Sequence, residues 1–214
     1  RFKVVYGGVN VEKYGGHSPE ELKKKLGLPE DKILVAYIGL FKTLGASKGI
    51  DTMMEALKYL PENICMVFVG GQRVEINEYE SLITDVVIKK RCIFVERQEA
   101  DMVPLYQRAI DILVLPAPNR PPFNNYLLPM KIYEYLASRK PIVYSKLEIL
   151  DEVLEDCAYG FVPDNFKDLS MAIMSITNGP SRNIDEKVSI CYSKAVSASW
   201  QMRAKNIIDW LKLS

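Results

Sequence analysis

Ile33-Leu34-Val35-Ala36-Tyr37-Ile38-Gly39 is a short, nearly continuous apolar run closed by a glycine. A run of this length, apolar at successive positions, suits a strand of a parallel sheet covered on both faces. Four more runs share the pattern: Ile64-Cys65-Met66-Val67-Phe68-Val69 before Gly70-Gly71, Cys92-Ile93-Phe94-Val95, Ile112-Leu113-Val114-Leu115, and Pro141-Ile142-Val143-Tyr144. Helical spacing lies between them. Ile50, Met53, Met54, Leu57 and Leu60 follow an i, i+3, i+4, i+7, i+10 stripe, with Asp51 near the amino end where a negative charge suits the dipole. A weaker helix is predicted over 76–87 and a short one over 102–109. Another runs to 138 with Pro129 in its first turn, a position proline tolerates. Leu169, Ala172, Ile173 and Ile176 mark a further helix. Alternating strands and helices imply right-handed crossovers and a doubly wound α/β sheet of Rossmann-like type. The whole chain reads as one domain, 1–214.

The terminal stretch carries Trp200, Ala204, Ile207, Ile208 and Leu211 at helical spacing. Its apolar face is one that a further part of the protein would cover, while Trp200 itself is read as core.

Lys plus Arg number 28 against 27 Asp plus Glu in 214 residues, a net charge of +1. That balance argues against a protein that wraps nucleic acid and against a polybasic membrane anchor. At 48% hydrophobic and 26% charged, the composition is that of a globular protein rather than a disordered tail. No apolar run approaches the roughly 20 residues that span a bilayer. The opening residues lack a signal-peptide layout and an initiating Met, so the chain is expected to be part of something longer. Cys65, Cys92, Cys157 and Cys191 are scattered, without a C-x-x-C pair, and there is a single His. The cysteines are read as reduced and structural, the compartment as cytoplasmic, and a zinc cluster as excluded.

Two loops stand out, 39–48 and 116–128. Both follow strands and so lie at the carboxyl edge of the sheet, where open α/β folds bind ligands. The first contains Gly39, Gly45, Gly49 just beyond it, Lys42 and Lys48; the second reads Pro-Ala-Pro-Asn-Arg-Pro-Pro-Phe-Asn-Asn-Tyr-Leu-Leu. There is no G-x-G-x-x-G, no G-x-x-x-x-G-K-[ST] and no G-x-S-x-G, which disfavours dinucleotide dehydrogenases, P-loop proteins and α/β hydrolases. His17 lies in a polar stretch without partners for a triad or a metal. Basic and acidic groups at helix starts remain. Lys48 precedes the Ile50 helix, Lys131 is in the first turn of the Pro129 helix, and Glu134 is one turn inside. A helix amino end attracts anions, and a carboxylate beside it accepts hydrogen bonds from a ribose diol. The same two residues are equally a surface i, i+3 pair worth about 0.2–0.5 kcal/mol.

Taken together, the segments resemble the carboxyl-terminal, donor-binding half of a GT-B glycosyltransferase of the retaining family 4. Val5-Tyr6-Gly7-Gly8-Val9-Asn10 resembles the opening motif V-x-N-G-V-D. Tyr37-Ile38-Gly39 through Ser47-Lys48-Gly49-Ile50-Asp51 and Glu55-Ala56-Leu57 resembles G-[loop]-K-G-x-D-x-x-x-x-A-L. Val67-Phe68-Val69-Gly70-Gly71 and Asp111-Ile112-Leu113-Val114-Leu115-Pro116 resemble its later strands. Pro129-Met130-Lys131-Ile132-Tyr133-Glu134-Tyr135-Leu136-Ala137 with Lys140-Pro141-Ile142-Val143 resembles the P-x-K-x-x-E-x-x-A-x-G-x-P-x-V variant; Tyr159-Gly160-Phe161-Val162 and Ser199-Trp200 also fit. The likeness covers nearly the whole chain in order.

The resemblance implies that Lys48 binds the donor diphosphate, that the N–H groups of Met130 and Lys131 hold phosphate at the helix start, and that Glu134 binds the ribose, with Gly39 a further donor-binding candidate. Arg97 falls where family members contact the base. It implies sugar transfer from a nucleotide-sugar to a hydroxyl with retention, with Lys48 and Glu134 as the candidate catalytic residues and no obligatory metal or other cofactor. The implied partners are the donor and a missing amino-terminal acceptor domain, with no nucleic acid and with peripheral membrane association through the full-length protein. Without that other half, this chain is expected to bind donor but not to catalyse transfer. Two positions depart from the pattern. Leu40 stands where the family commonly has Arg, leaving Lys42 as the nearby cation, and Tyr126 stands where many members have a second Glu, with Asn125 beside it as a donor-binding candidate. The departures keep a second reading in play, a degenerate, non-catalytic interaction domain on the same scaffold. An epimerase of GT-B type would need acidic and histidine residues that this chain largely lacks.

Overall fold

Residues 33–38 do form the central strand. In the computed structural model, which describes residues 7–124 and 128–212, they make β1 (Ile33–Ile38). The other strands of the sheet are β4 (Ile64–Gly71), β5 (Cys92–Glu96), β6 (Ile112–Leu115), β7 (Ile142–Ser145) and β8 (Tyr159–Phe161). All six are parallel, in the order β5-β4-β1-β6-β7-β8. The chain leaves β1 towards β4 and β5, then returns across β1 to start β6. Strand order therefore reverses between β1 and β6, and a crevice opens at the carboxyl ends of those two strands.

Alternation along β1 separates two apolar layers. Leu34, Ala36 and Ile38 point into one, with Ile132, Tyr135 and Leu136; Val35 and Tyr37 point into the other, with Ile50, Met53 and Leu57. Burial on both faces explains why the strand sequences are continuously apolar rather than alternating. The first layer is built on α1 (Pro19–Lys25), α5 (Val103–Ala109), α6 (Lys131–Ala137), α7 (Glu148–Leu154) and α9 (Ser181–Ser197). The second is built on α2 (Ile50–Ala56), α3 (Arg73–Leu82), α4 (Val86–Arg91) and α8 (Phe166–Thr177). The predicted Ile50 stripe is fully in the core, although its last turn tightens to a 3₁₀ form over Leu57–Tyr59.

Several expectations need correction. The single helix over 76–87 is two helices, because the Asp85 carboxylate accepts from the N–H groups of Val87 and Ile88 and so starts α4. Pro129 lies outside α6: Met130 is the residue before the first turn, and the Pro129 carbonyl accepts from Ile132. The loop after β1 contains a two-rung hairpin, β2 (Lys42–Thr43) with β3 (Ala46–Ser47). Trp200 is not core. It opens α10 (Trp200–Lys212), a helix with no buried residue, and is 45% exposed, with Ile208 and Leu211 more so. Cys92 is only half-buried because β5 is the sheet edge. Cys157 and Cys191, 34 residues apart, bring their sulfurs to 2.7 Å.

Candidate functional site

At the carboxyl ends of β1, β4 and β5, against the start of α6, lies a cleft of about 960 Å³. Gly39 and Leu40 form one wall, and Arg97, Gln98 and Glu99, just past β5, form another. Met130, Lys131 and Glu134 at the start of α6 close it. The wall geometry begins with β1. It pairs with β6 only through Val35 and Ala36, so Ile38 has no strand neighbour on that side. The Tyr135 hydroxyl takes over, accepting from the Ile38 N–H at 2.8 Å and donating to its carbonyl at 3.3 Å. That pair of bonds ties α6 to the end of β1 and leaves no buried backbone group unmet there.

Gly39 turns the chain at φ +145°, and its N–H donates to the Val69 carbonyl at 2.7 Å. The positive φ favours glycine, and a Cβ here would stand 2.0 Å from the Lys131 Nζ, so a side chain would push the lysine tip aside. The Tyr37 hydroxyl donates to the Leu40 carbonyl at 2.7 Å and steadies the turn from below.

Lys131 reaches from α6 across the carboxyl end of β1. The residue lines the cleft, and its Nζ is shut off from solvent, 3.9 Å from the centre of the Tyr37 ring. Burial and the neighbouring Lys48 charge push its pKa down to about 7, against the upward pull of Glu134. Lys48 comes from the other strand-exit segment. Gly49 follows it at φ +85° with no room for a side chain, since a Cβ would meet the Pro116 carbonyl at 1.9 Å. The Lys48 ammonium lies 5.9 Å from the centre of the Phe123 ring, and burial lowers its pKa. Lys48 and Lys131 together line a small cavity of about 30 Å³ with Tyr37, Pro116 and Phe123. The two lysines, 83 positions apart in sequence, therefore converge on one side of the sheet edge.

Glu134 lines the larger cleft, not the small cavity, and is not a simple partner of Lys131. Its Oε2 accepts from the Gln107 amide at 3.3 Å, and Gln107 in turn accepts from the Tyr14 hydroxyl at 2.7 Å. Gln107 is fully buried on α5, so the carboxylate is oriented from behind and presents its other face to the cleft. Arg97 lines the far wall, exposed, with its N–H bonded to the Gly71 carbonyl. Met130 is 53% exposed there.

Lys42 is not brought to the cleft. Its ammonium is paired with Glu78 of α3, which raises its pKa, and the hairpin that carries it leans towards that helix. Lys42, the nearby cation and a donor-binding candidate, is not among the residues lining the cleft, and Leu40 is. Asn125 and Tyr126 lie outside the described residues. His17 faces Glu21 at 3.9 Å, away from the cleft. Among the described residues no cluster of His, Cys, Asp and Glu is arranged to hold a metal ion, and no helix is long and apolar enough to cross a membrane.

Sequence reasoning missed Tyr37, Gln107 and Tyr14. Tyr37 reads only as a strand residue, and Gln107 and Tyr14 carry no motif; their roles appear only when α5 packs against the 3₁₀ turn Val11–Tyr14.

Comparison with known proteins follows the same outline. The chain is 26% identical over 181 residues to the D-inositol 3-phosphate glycosyltransferase of Xylanimonas cellulosilytica, covering 80% of this chain and 41% of that protein. Its fold is similar to sucrose-phosphate synthase from Thermosynechococcus elongatus, with a TM-score of 0.79 at 19% identity over 99% of this chain and 52% of that one. Anabaena HepE, solved in complex with UDP-glucose, gives a TM-score of 0.78 at 21% identity, over 99% and 57%. These neighbours are GT-B glycosyltransferases, and the chain spans only about half their length. The family model described as Glycosyl transferases group 1 matches residues 18–190. This chain belongs to the glycosyl transferases group 1 family.

Proposed function

We propose that this chain is the donor-binding half of a retaining glycosyltransferase of family 4, holding the diphosphate of a nucleotide-sugar for transfer to a hydroxyl acceptor. The observation that carries the reading is the convergence of Lys48 and Lys131 from two separate segments on the crevice where the strand order reverses. Two lysines held near each other raise each other's electrostatic energy, and an anion between them relieves it. In this reading Glu134, held by Gln107, accepts hydrogen bonds from the ribose diol, Arg97 across the cleft takes the base, and the N–H groups of Met130 and Lys131 hold phosphate; the lining of the cleft by these residues supports it. UDP and UDP-glucose bound by HepE support a nucleotide-sugar as the ligand class.

In the transfer step the glycosidic bond breaks and charge builds on the leaving diphosphate. Fixed cations stabilise it most at that moment, so Lys48 acts on the transition state and Glu134 on positioning. This chemistry calls for no obligatory metal or other cofactor. The acceptor and the other half of the cleft belong to an amino-terminal domain. The 214 residues act as one domain that binds donor without completing transfer, in the cytoplasm, with any membrane contact made through the full-length protein and no nucleic acid involved.

Leu40 in the cleft and Lys42 held by Glu78 favour a second reading, a non-catalytic domain on the same scaffold. Calorimetry with UDP, GDP and ADP separates the two. The donor reading expects saturable heat with one of them; absence of heat from all three at millimolar concentration favours the interaction domain.

A further inference from the structure

Among the described residues, the Lys131 Nζ is a buried amine with no hydrogen-bond partner. Such a group is costly to keep charged, and proteins resolve the cost by neutralising it or supplying an anion. Here the ring face of Tyr37 is its nearest compensation. The titratable groups around it are Glu134 on its own helix, Lys48 from the segment leading into α2, and Tyr37 on β1, with Tyr135 beside Ile38. None gives it an ion pair. The bare Cα of Gly39 makes the seat, and both Gly39 and Lys131 line the cleft.

Resting on the donor reading above, we propose that the Lys131 amine is the second diphosphate cation of this site, reaching the phosphates past Gly39, and that donor binding loads it with a proton.

The charge inventory of the cleft supports this. The turn residue Leu40 has no charge, Lys42 is held by Glu78, Lys13 lines the cleft but is paired with Asp101 at 2.7 Å, and Arg97 stands on the opposite wall. Lys131, which lines both the cleft and the small cavity, and Lys48, which lines the small cavity only, are then two cations for the two negative charges of a sugar diphosphate. The cation comes from the helix beneath the turn instead of from the turn itself. In that arrangement a methyl group at Gly39 would displace the Lys131 amine from its seat. With the amine at about 7 when free, it is largely neutral at pH 8. A sugar diphosphate has no group that titrates near neutrality, so a proton taken up on binding goes to the protein.

The test titrates the 214-residue chain with UDP-, GDP- and ADP-glucose by calorimetry at pH 6 and pH 8, using two buffers of different ionisation enthalpy at pH 8. The proposal expects affinity about tenfold weaker at pH 8 than at pH 6, with close to one proton taken up per ligand at pH 8. Lys131→Met should bind at least tenfold more weakly at pH 6 and lose both the uptake and the pH dependence. If the wild-type chain binds without proton uptake, or Lys131→Met keeps its affinity or its uptake, the proposal is overturned while the donor reading stands. If no sugar nucleotide binds at all, the donor reading falls and takes this proposal with it. Should the variant not fold, the wild-type proton count alone decides.

Discussion

The Lys131 ammonium sits over the face of the Tyr37 ring, 3.9 Å from its centre, so a residue of α6 is supported by a residue of β1 that belongs to the opposite apolar layer. Tyr37 therefore does two separable things, and two variants separate them. Tyr37→Phe keeps the ring and loses the bond to the Leu40 carbonyl; a stability loss of about 0.5–1.5 kcal/mol is expected. Tyr37→Leu loses the ring as well, and the cavity under the amine should raise the loss to about 2–4 kcal/mol. Urea denaturation of both variants checks the difference, and equal losses would mean that the ring contributes nothing.

Lys48→Ala should weaken binding of a nucleoside diphosphate by about 1.5–3 kcal/mol, the worth of a charge-assisted contact. Because Lys48 is one of the groups that lowers the Lys131 pKa, the same variant should move that pKa upward. Titration of the Lys131 side chain by NMR reads the second effect without any ligand.

Gln107→Leu tests how Glu134 is held. The variant strands the Tyr14 hydroxyl and removes the amide donor from the carboxylate, so about 1–3 kcal/mol of stability should be lost. Nucleotide affinity should also fall, and more for a nucleoside diphosphate than for inorganic pyrophosphate, because the ribose contact is what loosens. An equal fall for both ligands would place Glu134 away from the ribose.

The apolar runs, the doubly wound sheet and the α2 stripe were legible because buried parallel strands and amphipathic helices impose periods of their own. Other features had no period to read. The β2–β3 hairpin has two residues per strand, and α9 buries only Cys191 and Ala195 along its 17 residues. Trp200 was misread because a tryptophan at helical spacing resembles core, whereas here it packs beside Gly8 at the surface end of α10. In the site, Lys48, Lys131 and Glu134 stood out as charges at helix starts, whereas Arg97 was singled out only by its position in the resemblance. The position of Lys42 depended on Glu78, 36 residues away, which no local pattern discloses.

Gly49→Ala probes the loop that delivers Lys48. An L-residue at φ +85° is strained, and the added methyl would meet the Pro116 carbonyl. A loss of at least about 1–3 kcal/mol is expected, with weaker nucleotide binding, because the backbone at Pro116 must move to make room. A variant with wild-type stability and affinity would show that the two loops are not packed as described.

Stability should also depend on pH through Lys140, which burial pushes down to about 8 against the pull of Asp111. A lysine whose folded-state pKa is depressed destabilises the fold below that value, and the penalty fades as pH rises from about 8 towards the unfolded value near 10.4. Replacing Lys140 with Met should therefore flatten the rise in stability between pH 8 and pH 10. Thermal unfolding at several pH values reads this, and an unchanged slope would show that Lys140 is not the group responsible.

The most direct measurement of the central claim is a ¹⁵N NMR titration of the chain with a nucleotide-sugar, following backbone amides residue by residue. Diphosphate bound between the two strand-exit segments should shift Gly39, Leu40, Gly49, Lys131 and Glu134 together, with saturation at one common affinity. Shifts confined to other surfaces, or none at millimolar ligand, would contradict a diphosphate site at the head of β1.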